Sequence, residues 1–139
     1  MDVVYTVHQL PQIAALLCTE GKDYLVWALY APMGAGKTTL VQALASHIGV
    51  LSGIGSPTYS IINEYEANNG QQVYHMDWYR LKNAAEAIEA GVEDALLSGQ
   101  WCLVEWPEKA PELLPENTWH LVIEIIDPET RRLYTQNPM

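Results

Sequence analysis

One short segment, residues 31–39 (APMGAGKTT), most constrains what this chain can fold into. An apolar run at 24–30 precedes it and predicts a strand that is buried on both faces. Residues 40–48 follow it with the apolar spacing of a helix, and Gly49 is placed to end that helix. A strand, a glycine-containing loop and a helix in this order are typical of a phosphate-binding turn.

The segment fits the pattern G-x-x-x-x-G-K-[ST] except at its first position, where Ala31 replaces glycine. Gly34 and Gly36 let successive backbone N–H groups face phosphate oxygens, and the helix directs its positive end at the same point. We expect Lys37 to contact the β- and γ-phosphates and the Thr38 hydroxyl to bind Mg²⁺. The predicted nucleotide-binding residues of the loop are Met33, Gly34, Ala35, Gly36, Lys37, Thr38 and Thr39. A plain turn with a solvent-exposed lysine is the simpler alternative.

Two acids are placed to complete such a site. Asp77 follows a strand-like run at 73–76 (VYHM), and Glu105 follows a more apolar run at 101–104 (WCLV). Either carboxylate could hold Mg²⁺ or orient a nucleophile, and each could instead be an ordinary acid at the end of a strand. Thr58 lies after a glycine-rich turn, where a switch-like loop could bring a second hydroxyl to the metal or the γ-phosphate. A turn residue at the start of a hairpin is the alternative for Thr58.

The remaining pattern predicts a single domain over residues 1–139 with a mixed sheet. Asn69-Gly70 is a strong hairpin signal between two strand-like runs. The predicted elements are a helix at 9–17, strands at 59–65, 72–77, 101–105, 119–126 and 131–135, and short surface helices between 83 and 97. This order indicates an α/β domain of three layers, similar to P-loop NTPases, in which part of the sheet is antiparallel.

The charge balance excludes several classes of protein. There are 7 Lys and Arg residues against 17 Asp and Glu residues, a formal net charge of −10. Such a chain lacks the basic face that binds nucleic acids or anionic membranes, so we expect no autonomous binding to either. No apolar run is long enough to span a bilayer, and the first residues do not resemble a secretion signal. A cytoplasmic location is therefore expected.

The few cations also bear on the type of phosphate chemistry. A small-molecule kinase usually carries several arginines in its lid, and no such cluster is visible here. No Asn-Lys-x-Asp segment for guanine recognition is present, which favours ATP over GTP. Arg80 is a candidate for stabilising charge in the transition state, or it could pair with a surface acid such as Glu86. Three functions stay open: an ATPase, a small-molecule kinase, and a nucleotide-dependent interaction module that does not hydrolyse ATP.

Four motifs occur in this order along the chain: residues 34–39 (GAGKTT), 56–59 (SPTY), 75–81 (HMDWYRL) and 104–107 (VEWP). Taken together, they resemble the TsaE (YjeE) family of small bacterial P-loop ATPases, and the resemblance covers about residues 8–127. It implies that Lys37 binds phosphate and that Thr38 and Asp77 hold Mg²⁺. It further implies that Glu105 supports hydrolysis or the metal site, and that Thr58 belongs to a switch-like loop. Trp106, beside Glu105, would sense the nucleotide.

The resemblance also implies a biological role. Members of the family take part in forming threonylcarbamoyladenosine on tRNA, where they act on a complex of TsaD-like and TsaB-like proteins. Hydrolysis of ATP to ADP would reset that complex between rounds of modification, and it would be slow without the partners.

Residues 86–116 carry eight acids and one base, which predicts a solvated acidic face or a docking surface for a basic partner.

Overall fold

Seven strands and four α-helices make up most of the described chain, residues 1–50 and 61–136 of a computed structural model. The strands are β1 (Asp2–Thr6), β2 (Val26–Tyr30), β3 (Ile62–Glu66), β4 (Gln72–Asp77), β5 (Trp101–Glu105), β6 (Thr118–Asp127) and β7 (Thr130–Thr135). The helices are α1 (Leu10–Glu20), α2 (Lys37–Ile48), α3 (Ala84–Glu89) and α4 (Val92–Leu96). None of the helices described is long and apolar enough to cross a membrane.

The seven described strands form one mixed sheet in the order β1-β7-β6-β2-β5-β4-β3. Strand β2 runs parallel to both β5 and β6, and β4 runs parallel to β5. The pairs β1–β7, β6–β7 and β3–β4 are antiparallel. Because β2, β4 and β5 all point the same way, the residues that follow them meet at one edge of the sheet.

Helices cover both faces of this sheet. The alternation of side chains along β2 sends Val26 to one face and Trp27 to the other. Trp27 packs in a core with apolar residues of α1 and α2, whereas Val26 packs with those of α3 and α4. The sequence prediction of a three-layer α/β fold with a partly antiparallel sheet is therefore confirmed.

The amino-terminal edge of the parallel strands is aromatic. The Trp27 ring lies edge-to-face with Trp101 at 4.9 Å and with Trp119 at 4.8 Å between ring centroids. We call these three residues the tryptophan cluster. Gly21, just after α1, leaves room for it, because a Cβ at that position would lie 2.4 Å from the Trp119 ring. Close packing thus demands a glycine where α1 ends.

Both predicted hairpins are present. Strands β3 and β4 are joined across Gly70, whose φ of +87° lies in the left-handed region that glycine adopts without strain. Strands β6 and β7 are joined around residues 127–130, as the turn residues indicate. In the strand predicted at 59–65, which corresponds to β3, residues 59 and 60 lie outside the described residues.

Candidate nucleotide-binding site

The glycine-containing loop connects the central strand β2 to helix α2. Gly34 has a φ of +80° and Gly36, at the N-cap of α2, a φ of +88°. A Cβ built on either glycine would meet no heavy atom of the described chain within 4 Å. The backbone conformation, rather than crowding, is therefore what requires glycine at these two positions.

Lys37 opens helix α2, and its side chain turns back over the loop. It is only 7% exposed, its Nζ donates a hydrogen bond to the Ala31 carbonyl at 3.2 Å, and it lies 3.6 Å from the centroid of the Trp106 ring. Burial lowers the pKa of Lys37, while Glu105, Glu108 and Asp77 act in the opposite direction. The alternative of a lysine merely exposed to solvent is therefore wrong.

The two candidate acids are neighbours across the sheet. Strands β4 and β5 are parallel, and their register pairs Asp77 with Glu105, the last residue of each strand. Paired residues of adjacent strands project from the same face, so both carboxylates belong to one side of the sheet edge. Glu105 is buried, whereas Asp77 is partly exposed and its Oδ1 accepts a hydrogen bond from the Tyr79 backbone at 2.9 Å. Two adjacent carboxylates favour a cation between or beside them.

A residue without a predicted role completes this group. His75 lies two positions before Asp77 on β4, and its Nε2 is 2.5 Å from Oε2 of Glu105. Both side chains are almost fully buried. The spacing of His75 and Asp77 in the sequence could have indicated this grouping, because residues two apart on a strand share a face. We call Lys37, His75, Asp77 and Glu105 the polar edge.

Trp106 follows β5 and covers the polar edge. Its φ of +57° is the one positive value at a non-glycine residue in the described chain, and such a conformation strains a residue that carries a Cβ. The ring contacts the Lys37 ammonium, and the centroid of the Tyr79 ring is 5.0 Å from its own. Strained backbone of this kind is typical of functional sites.

Arg131, near the start of β7, bonds to the backbone of the glycine-containing loop. Its Nε donates to the Ala35 carbonyl at 3.0 Å, and its Nη1 donates to the Asp127 carbonyl at 2.7 Å. A cavity of about 230 Å³ lies here between the loop and the β6–β7 turn, lined in part by Gly36, Thr39 and Pro128. Arg131 thus ties the loop backbone to the last hairpin, a contact between residues far apart in sequence.

The other sequence-predicted residues lie around this center in different ways. Thr38 is half-buried in the first turn of α2, whereas Met33 and Thr39 are exposed. Arg80 is exposed and makes no ion pair with any acid of the described chain, Glu86 included. Thr58, and with it the predicted switch-like loop, lies outside the described residues.

Comparisons with known proteins point to one family. The model of the family described as "Threonylcarbamoyl adenosine biosynthesis protein TsaE" matches residues 4–133. A relative from Haemophilus influenzae, named tRNA threonylcarbamoyladenosine biosynthesis protein TsaE, is 40% identical over 105 residues, which are 76% of this chain and 65% of the relative. A relative of the same name from Bacillus subtilis is 34% identical over 122 residues, 87% of this chain and 75% of the relative. The chain thus spans slightly less than two thirds of the Haemophilus protein.

A solved structure gives the same result. The crystal structure of YdiB from Bacillus subtilis superimposes with a TM-score of 0.69 at 29% sequence identity. The superposition covers 99% of this chain and 87% of that one. The likeness therefore extends over nearly the full length of this chain.

Proposed function

Because this chain belongs to the TsaE family, we propose that it binds ATP with Mg²⁺ and hydrolyses it in tRNA threonylcarbamoyladenosine biosynthesis. The observation that supports this most is the convergence of Lys37, Asp77 and Glu105 at one edge of the sheet, beside a loop with two left-handed glycines. A positive end of a helix, a lysine and two carboxylates at one point form the set of groups that phosphoryl transfer needs.

The loop would hold the phosphates of ATP. Gly34 and Gly36 shape the backbone so that its N–H groups can act as donors, and residues 33–39 supply the rest of the contact surface. Lys37 would bind the β- and γ-phosphates as a point charge. Burial already disfavours its charge in the protein alone, so a phosphate group would restore a favourable partner for the ammonium.

The donor groups fit Mg²⁺, which prefers oxygen ligands and is commonly held by one or two carboxylates together with substrate phosphates. Thr38 and Asp77 would bind the ion, and Glu105 would either share this role or orient the attacking water. No group of three or more His, Cys, Asp or Glu side chains that could hold a metal occurs in the described residues. Phosphate oxygens and water would complete the coordination, and the ion would neutralise charge on the phosphates.

Glu105 would act on the attacking water. The water oxygen would attack the γ-phosphorus and give up a proton to Glu105, the bond to the β-phosphate oxygen would break, and ADP and phosphate would leave. A buried carboxylate at the end of β5 can accept a hydrogen bond from that water and hold it in line. Because Lys37 is the one buried cation in the described chain, little positive charge is available to speed the reaction, and we propose slow hydrolysis in the isolated protein.

The proposed partners are TsaD-like and TsaB-like proteins of the cytoplasm. A chain with a net charge of −10 lacks the surface that would bind tRNA directly. Its role in tRNA modification would therefore depend on protein contacts, and hydrolysis of ATP would reset the partner complex.

Replacing Lys37 tests the nucleotide site. We expect Lys37→Ala to abolish measurable ATP binding in calorimetry and to lower hydrolysis by about 10²- to 10³-fold. Lys22→Ala removes an exposed lysine elsewhere and serves as the matched control. Wild-type affinity in Lys37→Ala would contradict the proposal. ADP production with partners present separates an ATPase from a module that only binds ATP, and phosphoryl transfer to a metabolite would indicate a kinase instead.

A further inference from the structure

Within the polar edge, His75 and Glu105 form a buried pair. His75 is 1% exposed and Glu105 3% exposed, and the contact between Nε2 and Oε2 is 2.5 Å long. The other imidazole nitrogen, Nδ1, has no hydrogen-bond partner in the described chain. A buried polar nitrogen without a partner is unfavourable, so a histidine used for packing alone would be a poor choice here.

The hydrogen bond between His75 and Glu105 has a definite donor and a definite acceptor. Because Nδ1 has no hydrogen-bond partner among the described residues, the imidazole proton belongs on Nε2, from which it is donated in a hydrogen bond to the carboxylate. This contact uses Oε2 of Glu105 and leaves Oε1 as the oxygen that acts at the edge of the sheet. A glutamate side chain has three rotatable bonds, and a charged hydrogen bond at one oxygen fixes the orientation of the other.

We propose that His75 is a positioning residue for Glu105. This role of His75 rests on the proposed function, because the orientation of Glu105 matters only if its carboxylate acts in hydrolysis. The His75 side chain makes no hydrogen bond to residues 31–39 and bonds to Glu105 instead. It would act through Glu105, in the way that outer hydrogen-bond partners orient the ligands of metal sites. Its effect should therefore fall on turnover and leave nucleotide affinity unchanged.

Three substitutions of His75 separate a hydrogen-bond role from a packing role. In His75→Gln the amide nitrogen takes nearly the place of Nε2 and can donate to Glu105. In His75→Asn the amide extends only as far as Nδ1 and cannot reach it. In His75→Leu the space is filled without a donor. All three are assayed as full-length protein for stability, for ATP affinity by calorimetry, and for ADP release with and without the partner proteins.

We expect His75→Leu and His75→Asn to lower kcat about 10- to 100-fold while ATP affinity stays within about twofold of wild type. His75→Gln should return kcat to within about threefold of wild type. In the background of Glu105→Gln, His75→Leu should cause no further loss, because both changes affect one group.

Two results would overturn the inference: wild-type turnover in His75→Leu, or a kcat in His75→Gln as low as in His75→Leu with ATP affinity intact. If His75→Leu does not fold, His75→Gln and His75→Asn decide the matter by the same comparison. Failure of the proposed function gives a different pattern, since the wild-type protein itself would then release no ADP. In that case the role of His75 falls with it.

Discussion

The two edges of the parallel strands are built in opposite ways. At the amino-terminal edge the tryptophan cluster packs ring against ring, and Gly21 is small so that the rings fit. At the carboxyl-terminal edge the buried groups include the polar and charged side chains of Lys37, His75 and Glu105, and burial lowers the pKa of Lys37. One edge stabilises the fold, and the other carries groups that a stable fold alone would not bury.

Strand β5 connects the two edges directly. Trp101 is its first residue and Glu105 its last, and both project from the same face. At the usual rise of a strand they are about 13 Å apart. Effects of substitutions at this separation normally add without coupling, so stability and chemistry should be separable in this molecule.

The largest expected effect is at the aromatic edge. Trp27→Ala removes the central ring of the tryptophan cluster and should lower the free energy of unfolding by about 3–5 kcal/mol. Urea denaturation followed by circular dichroism measures this, with Trp27→Phe as a control that keeps an aromatic ring and should lose less. The remaining folded protein should hydrolyse ATP at the wild-type rate. A lower rate in that folded fraction would show that the edges are coupled.

Glu105→Gln should give the reverse result. The amide keeps the shape of the side chain and an oxygen that can accept from His75, but it cannot accept a proton from water. We expect ATP turnover to fall by about 10²-fold or more, while the free energy of unfolding stays the same or rises, because one of two adjacent carboxylates loses its charge. A stability loss comparable to that of Trp27→Ala would contradict the separation of the two edges.

The smallest expected effect concerns pH. The pKa of Lys37 is lowered by burial, so from the folded pKa up to the ordinary lysine value of 10.5 the unfolded chain binds more protons than the folded one. The wild-type free energy of unfolding should therefore rise, relative to Lys37→Met, as pH increases through this range.

Parallel urea titrations of the two proteins at neutral and alkaline pH measure this difference. Burial also raises the pKa of Cys102 to about 12, which destabilises both proteins above the ordinary thiol value of 9.0 and cancels from the comparison. If the difference in the free energy of unfolding between the two proteins is the same at all pH values, burial does not lower the pKa of Lys37.

Much of the fold and part of the site could be predicted because the signals are local. The loop, its flanking strand and helix, and the Asn69-Gly70 hairpin are each contained within a few consecutive residues. Asp77 and Glu105 were both identified as acids at strand ends. That the two acids lie side by side was not predicted. Their pairing follows from the register of β4 with β5, and the sequences of the two strands do not specify that register.

The features that were missed depend on contacts between distant parts of the chain. Strand β1 has no strong pattern of its own and forms because it pairs with β7, with an ion pair of 2.6 Å between Asp2 and Arg132. Arg131 reaches Ala35 across the fold in the same way. Local composition cannot indicate such pairings, since tertiary context decides them.

The order of strands also affects how this protein behaves at high concentration. In the described part of the sheet, β1 and β3 are outermost, and an outer strand offers unpaired backbone groups to any other chain. Both carry exposed acids, Asp2 on β1 and Glu64 and Glu66 on β3. Asp2 is paired with Arg132, so the effect falls on β3: two copies that approach along this strand bring like charges together, which discourages the continuous sheets from which amyloid grows. The acidity of this outer strand therefore disfavours edge-to-edge aggregation.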